Sequence, residues 1–129
     1  MARVRSLGKT CWVRINDEHQ RRQRRGRSGE AIAAIALGNA GWRILAQNHR
    51  IAGLEIDLVA LDPSLQIVAV EVRRRAGVGS ATPHQILGAR KLAALRRQRG
   101  VLPALHRVDL LLVLGPDGRE RLRLIRGIA

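Results

Sequence analysis

The sequence predicts an α/β fold, a central mixed β-sheet flanked by helices in the order α-β-β-β-α-β-β. Three observations predict it. Leu54–Arg75 holds two runs of strand-forming residues on either side of Asp62-Pro63-Ser64, a turn signal. Val108–Leu114 is apolar at almost every position, as a strand covered on both faces must be. Two further stretches, from Ser28 and from about His84 to Arg99, space their apolar residues as helices do.

Residues 1–27 are polar and lack periodicity, and they are read as a flexible basic arm ahead of one domain over 28–129. The arm holds nine basic and two acidic residues, densest at Arg21, Arg22, Arg24, Arg25 and Arg27. Ser28 is a good N-cap, and Glu30 falls in the first turn, where the helix dipole favours an acid. Ile32, Ile35 and Ala36 mark the buried stripe, and Gly41 ends the helix. Trp42–Ala46 reads as a first strand and Gln47–Arg50 as a turn. Trp42 reads as core and His49 as surface. The hairpin of strands two and three follows. Gly77, Gly79 and Pro83 make a loop, entered through Arg73, Arg74 and Arg75. The helix over His84–Arg99 puts Ile86, Leu92 and Leu95 on the sheet and Arg90, Lys91, Arg96, Arg97 and Arg99 elsewhere. Gly115–Gly118 is a turn and Arg121–Ile125 an alternating edge strand.

Charge narrows the function. Over 129 residues, 24 basic side chains face 10 acidic ones, giving a net +14. All the basic residues except Lys9 and Lys91 are Arg, whose planar fork suits phosphate. Nucleic acid is the expected partner, with DNA preferred. The chain has no Phe, no Tyr and only two Trp, so a stacking platform for single-stranded bases is not expected. No apolar run approaches the roughly 18 residues of a membrane span, and no signal-peptide core is present, so a cytoplasmic protein without a membrane partner is expected. Cys11 is the one cysteine, and with His19 it is too sparse for a metal site.

The chemistry sits in the hairpin. Strand side chains alternate, so Glu55, Asp57 and Val59 should share one face and Ile56, Leu58 and Ala60 the other. On the next strand, Ile67, Ala69, Glu71 and Arg73 should share a face. Acids among apolar neighbours are costly unless paired or metal-bound. Asp57 and Glu71 on neighbouring strands have the oxygen donors that Mg2+ or Mn2+ takes. Glu30 could add a third carboxylate through a water. Arg73 would lie near a bound phosphate. Arg stays protonated, so it stabilises charge rather than acting as base, and a metal-activated water would be the nucleophile. Plain ion pairs compete with this reading: Asp57 with Arg73 or Arg50, Glu71 with Arg43, and Asp109 with Arg107.

An acid, a thirteen-residue gap and Glu-x-basic, preceded by an acidic helix, resembles the PD-(D/E)XK restriction-endonuclease-like superfamily. The runs GRSGEAIA, GWRILAQNHRI, LEIDLVA, VAVEVRRR, ARKLAAL and HRVDLLLV resemble the bacterial YraN family over about residues 24–126. That family is related to archaeal Holliday-junction resolvases. The resemblance implies a restriction-endonuclease-like fold and puts the site acids at Glu30, Asp57 and Glu71, with Glu55 in the same run. It places Arg73 where the superfamily has lysine, aligns Lys91 with a later helix lysine, and aligns Arg107 and Asp109 with the fourth strand. Two departures stand out: Leu54 replaces the glycine before the acidic run, and the family's strand aromatics are missing.

The expected function is therefore a Mg2+-dependent endonuclease on DNA, branched or damaged, with Glu30, Asp57, Glu71 and Arg73 at its centre. Arg21, Arg22, Arg24, Arg25, Arg27, Arg74, Arg75 and Lys91 would contact nucleic acid. The alternatives are a non-catalytic nucleic-acid-binding module on the same fold, or an arm that docks an acidic protein. A junction substrate would go with a symmetric homodimer.

Overall fold

The computed structural model describes residues 4–7, 10–13, 28–51, 53–76 and 81–129. Strands β1 (Val4–Leu7) and β2 (Thr10–Val13) come first, then helix α1 (Gly29–Asn39). Strands β3 (Arg43–Ile51), β4 (Leu54–Leu61) and β5 (Ile67–Arg75) follow. Helices α2 (Pro83–Leu87) and α3 (Ala89–Val101) lead to β6 (Arg107–Leu114) and β7 (Arg121–Ile125). One seven-stranded sheet runs β1-β2-β7-β6-β5-β4-β3. Among the described residues only β5 and β6 pair in parallel, and the crossover between them carries α2 and α3, as a parallel pair requires. The sheet is therefore mixed and flanked by helices, as expected.

The two sheet faces bury different helices. Ile32, Ala33, Ala36 and Leu37 of α1 pack with Val70, Val72, Leu111 and Val113. Leu92 and Leu95 of α3 pack with Ala69, Leu110, Leu112 and Leu114. Alternation along β5 and β6 sorts these residues to opposite faces. Ala33 and Leu37, rather than Ile35, complete the buried stripe of α1. Ser28 caps that helix as expected, its hydroxyl accepting from the Ala31 amide at 3.2 Å.

Four expectations need correction. The arm over 1–27 was expected to be without structure, yet β1 and β2 pair with each other, and β2 extends the sheet beyond β7. Two four-residue strands give too short a pattern to stand out beside so much charge. Arg21, Arg22, Arg24, Arg25 and Arg27 lie outside the described residues, as do residues 77–80 of the glycine loop. Next, the expected turn at Gln47–Arg50 is strand, paired Gln47 to Leu58, His49 to Ile56 and Arg50 to Glu55. On the sheet edge these polar side chains stay exposed while their backbone pairs. Asn48 at φ 49° and the register shift between Ile44 and Ala46 mimic turn chemistry and also blunt the edge against other strands. Third, the single helix over 84–99 is two helices, broken at Gly88 with φ 83°. Last, β7 is not the expected edge strand: it lies inside the sheet, paired with β2 on one side and β6 on the other.

Asp62 builds the expected turn, its Oδ1 accepting from the Ser64 and Gln66 amides at 2.9 Å each. Leu65 sits in that turn at φ 64° with its side chain 78% exposed. A left-handed leucine costs about 1–2 kcal/mol and gains nothing from burial here. Asn tolerates this backbone, so Leu65→Asn is expected to raise unfolding stability by about 1 kcal/mol. Urea denaturation checks it, and an unchanged or lower midpoint would refute it.

Candidate metal centre

The site begins where two strands part. β4 and β5 pair from Leu61–Ile67 to Leu58–Val70, and there the pairing ends. One step further, Asp57 and Glu71 would face each other. Instead the Asp57 carboxylate turns inward, and its Oδ2 accepts from the Val72 amide at 2.8 Å. A side-chain oxygen thus satisfies an amide that the ladder leaves free. The strict alternation expected for β4 fails at the same point. Ile56 packs in the α3-side core, whereas Leu58 and Ala60 pack on the α1 side.

Glu71 is almost fully buried, with its side chain 1% exposed. Arg73 Nη1 lies 3.4 Å from Glu71 Oε2 and 3.7 Å from Asp57 Oδ2, and donates to the Val72 carbonyl at 3.0 Å. Lys91 Nζ, arriving from α3, lies 3.6 Å from the same Glu71 Oε2. The other oxygen, Oε1, is buried without a hydrogen-bond partner. Burial pushes the Glu71 carboxyl above its ordinary range, and the Asp57 charge adds to the rise. Lys91 and Arg73 oppose both without cancelling them. A buried carboxylate with an unused oxygen beside a second carboxylate fits a hard divalent cation. Asp57 and Glu71 are the residues that would hold it.

This environment has a stability consequence. A raised folded-state pKa means that ionised Glu71 opposes folding at neutral pH. The penalty is absent below the unfolded-state value and grows as pH rises through the folded one. Glu71→Gln is therefore expected to raise the Tm of the metal-free protein at pH 7, and the gain should shrink as pH falls towards 4. Thermal melts across that range check it, and a lower Tm at pH 7 would refute it.

Glu30 is placed differently. It sits half-buried in the first turn of α1. Neighbouring Gly29 lies against Val72 and Arg74, where an added Cβ would be 3.6 and 3.8 Å from their side chains. That is the β5 face opposite Glu71 and Arg73. Among the described residues, no three His, Cys, Asp or Glu side chains gather as a metal cage. The structure brings Asp57, Glu71, Arg73 and Lys91 together and leaves Glu30 outside that contact set. Glu55 is exposed on β4, opposite Arg50. Arg74 is exposed on the α1 side. Arg75 is exposed too, its guanidinium donating to the Arg74 carbonyl at 3.0 Å and the Ile86 carbonyl at 3.4 Å. Of the competing ion pairs, Asp57 with Arg73 is present, and Glu71 takes Arg73 and Lys91 in place of Arg43.

The profile of Uncharacterised protein family UPF0102 matches residues 29–113. The chain belongs to this family. UPF0102 is the YraN family that the sequence runs resemble. The match takes in Glu30, Asp57, Glu71, Arg73 and Lys91. A UPF0102 protein of Symbiobacterium thermophilum is 40% identical over 81% of this chain and 94% of its own length. One of Moorella thermoacetica is 45% identical over 59% of this chain and 62% of its own, so that match spans less than two thirds of the relative. Among solved structures, a repair endonuclease from Pyrococcus abyssi aligns at 11% identity and a TM-score of 0.43, over 91% of this chain and 58% of that one.

The UPF0102 chain holds a second charged cluster that the sequence revealed only in part. Arg107 Nε donates to Asp109 Oδ1 at 2.9 Å, as the expected pair, while its Nη1 donates to Asp62 Oδ2 at 2.8 Å. The Gly127 amide also donates to Asp109 Oδ1, at 2.9 Å. The guanidinium carbon lies 5.8 Å from the Trp42 ring centroid. This cluster joins the β4–β5 turn, the start of β6 and the C-terminal segment. Asp62 was legible only as a turn former, because its ion partner lies 45 residues away. Among the described residues, no helix is long and apolar enough to cross a membrane.

Proposed function

We propose that this UPF0102 protein is a Mg2+- or Mn2+-dependent endonuclease that hydrolyses phosphodiester bonds in DNA, with branched or damaged DNA as the preferred class. One observation carries the reading: Asp57 and Glu71 are held side by side where β4 and β5 separate, and Glu71 Oε1 is buried without a partner. The ion would supply Lewis-acid activation of water and would neutralise charge on the phosphate. The chain's own residues do the rest. The Val72 amide fixes the Asp57 carboxylate. Lys91 holds Glu71 from the helix side. Arg73, at the solvent side of the pair, stabilises charge on the phosphate undergoing attack. The net +14 charge attracts the polyanion. Glu30 contributes through solvent or as a helix-terminal acid, and a junction substrate would be met by a two-fold dimer.

The test incubates the full chain with duplex, flap and four-way-junction DNA, with and without Mg2+ or Mn2+. Cleavage without metal, or unchanged in Asp57→Ala, would sink the proposal. A second reading, a non-catalytic nucleic-acid-binding module, is favoured by Arg73, whose cation already lies against both acids. It predicts binding that weakens steeply with salt, survives Asp57→Ala and Glu71→Ala, and cuts no substrate.

A further inference from the structure

We propose that Arg73 is the resident counter-ion of the Asp57–Glu71 pair in the free protein, and that a phosphodiester opens this pair to the divalent cation by drawing the Arg73 guanidinium onto its own oxygens. Substrate and metal then bind cooperatively. The inference rests on the reading of Asp57 and Glu71 as a metal site.

The geometry carries it. One nitrogen, Arg73 Nη1, lies within 3.7 Å of Asp57 Oδ2 and 3.4 Å of Glu71 Oε2, so it occupies the space between the carboxylates that a shared cation would need. Its anchor there is weak. These separations exceed those of charge-assisted hydrogen bonds, and the one good bond of Nη1 goes to the neutral Val72 carbonyl. The Arg73 side chain is 31% exposed, against 14% for Asp57 and 1% for Glu71. An arriving phosphate therefore meets the guanidinium before either acid. Guanidinium and phosphate match as planar fork and paired oxygens, which neither carboxylate offers Arg73 here.

Charge counting gives the coupling. In the free protein two carboxylates face two cations, Arg73 and Lys91, and the cluster is formally neutral. A dication entering it meets two unit charges of its own sign. With Arg73 engaged on a phosphate, the acids keep Lys91 alone and the phosphate adds its own charge beside the site. Lys91 lies 3.6 Å from the same Glu71 Oε2 but bridges to no second acid among the described residues, so the cation between the two carboxylates is that of Arg73. Linkage is reciprocal, so the metal must tighten DNA binding by the factor with which DNA tightens metal binding.

The test is calorimetric titration of Mn2+ into the full chain, alone and with a phosphorothioate DNA duplex that resists cleavage, corrected for Mn2+ binding to the duplex. For the unsubstituted protein, DNA should tighten Mn2+ binding on the order of tenfold, within the usual range of coupling between sites. Arg73→Met, which keeps the length and loses the charge, should bind Mn2+ on the order of tenfold more tightly without DNA and respond little to the duplex. Arg73→Gln provides the same comparison if the Met variant does not fold. Arg73 variants that bind Mn2+ no more tightly, or an unsubstituted protein indifferent to DNA, would overturn the proposal. If that protein binds Mn2+ and cuts DNA, such a result removes the counter-ion role and leaves the metal site standing. Failure to bind Mn2+ under either condition removes both.

Discussion

Asp57→Asn is expected to lower Mg2+-dependent cleavage of DNA by at least about three orders of magnitude while leaving the fold intact. On the proposed function Asp57 is a metal ligand whose ion would supply several kcal/mol of transition-state stabilisation, with about 1.4 kcal/mol per tenfold in rate. The intact fold follows from the bond to Val72. An Asn carbonyl oxygen can still accept from the Val72 amide, so the junction of β4 and β5 keeps its hydrogen bond and loses only charge. Single-turnover cleavage of the best substrate, beside a thermal melt, checks both halves. Full activity in Asp57→Asn would show that the pair does not hold the working ion. Lost activity with a collapsed melt would mean that Asp57 serves the sheet more than the chemistry.

A nuclease reading and a binding-module reading share the basic surface, so affinity for DNA does not separate them. The Asp57–Glu71 pair does. Within it Glu71 is a buried carboxylate whose charged form is disfavoured and whose Oε1 lacks a partner, so its removal tests cleavage without touching the basic surface. Functional sites commonly carry such local cost, and the predicted gain in Tm for Glu71→Gln measures it directly.

The parts of the fold visible in the sequence are those where one physical term dominates. β6 is apolar at all positions but Arg107 and Asp109, which leaves only a central strand. The hairpin announced itself through acids that no apolar strand carries without cause. The second half of β3 is hidden in the sequence because Gln47–Arg50 is polar and exposed on both faces at the sheet edge, and Asn48 adopts a turn-like φ within it. β1 and β2 were hidden by arginines around them. In the site, parity along each strand was enough to bring Asp57 and Glu71 together. It was not enough to show that pairing stops at Leu58 and Val70, that Asp57 captures the Val72 amide, or that Ile56 falls on the other face. Lys91 comes from a helix 20 residues beyond Glu71, a contact that tertiary packing alone decides. Glu30 reads as a third carboxylate, acting through a water, from its place at a helix start and from the family resemblance, whereas α1 covers the β5 face opposite Glu71.

Arg107→Met is expected to destabilise the protein by about 3–5 kcal/mol, the usual cost of stripping a buried ion pair of one partner. That is a large share of the roughly 5–15 kcal/mol that holds a typical domain together. The loss strands two acids at once. Asp109 is fully buried, and burial already pushes its carboxyl above the ordinary range despite the Arg107 hydrogen bond. Asp62 also feels burial, but the Gln66 amide and the Arg107 guanidinium outweigh it and hold that carboxyl below its usual range. Without Arg107, Asp109 has only the Gly127 amide and the field of Arg126 to oppose burial, so its folded-state pKa climbs further. A carboxyl with a raised folded-state pKa opposes folding at high pH and stops doing so as pH falls towards its unfolded value. The defect of Arg107→Met should thus be largest at pH 7 and above, and should shrink towards pH 4. Adding Asp109→Asn should recover part of it at neutral pH, because the amide removes the stranded charge and can still accept from Gly127. Urea unfolding of the three proteins at pH 7 and pH 4 provides the measurement. A pH-independent loss would assign the role of Arg107 to packing against Trp42 instead of to charge.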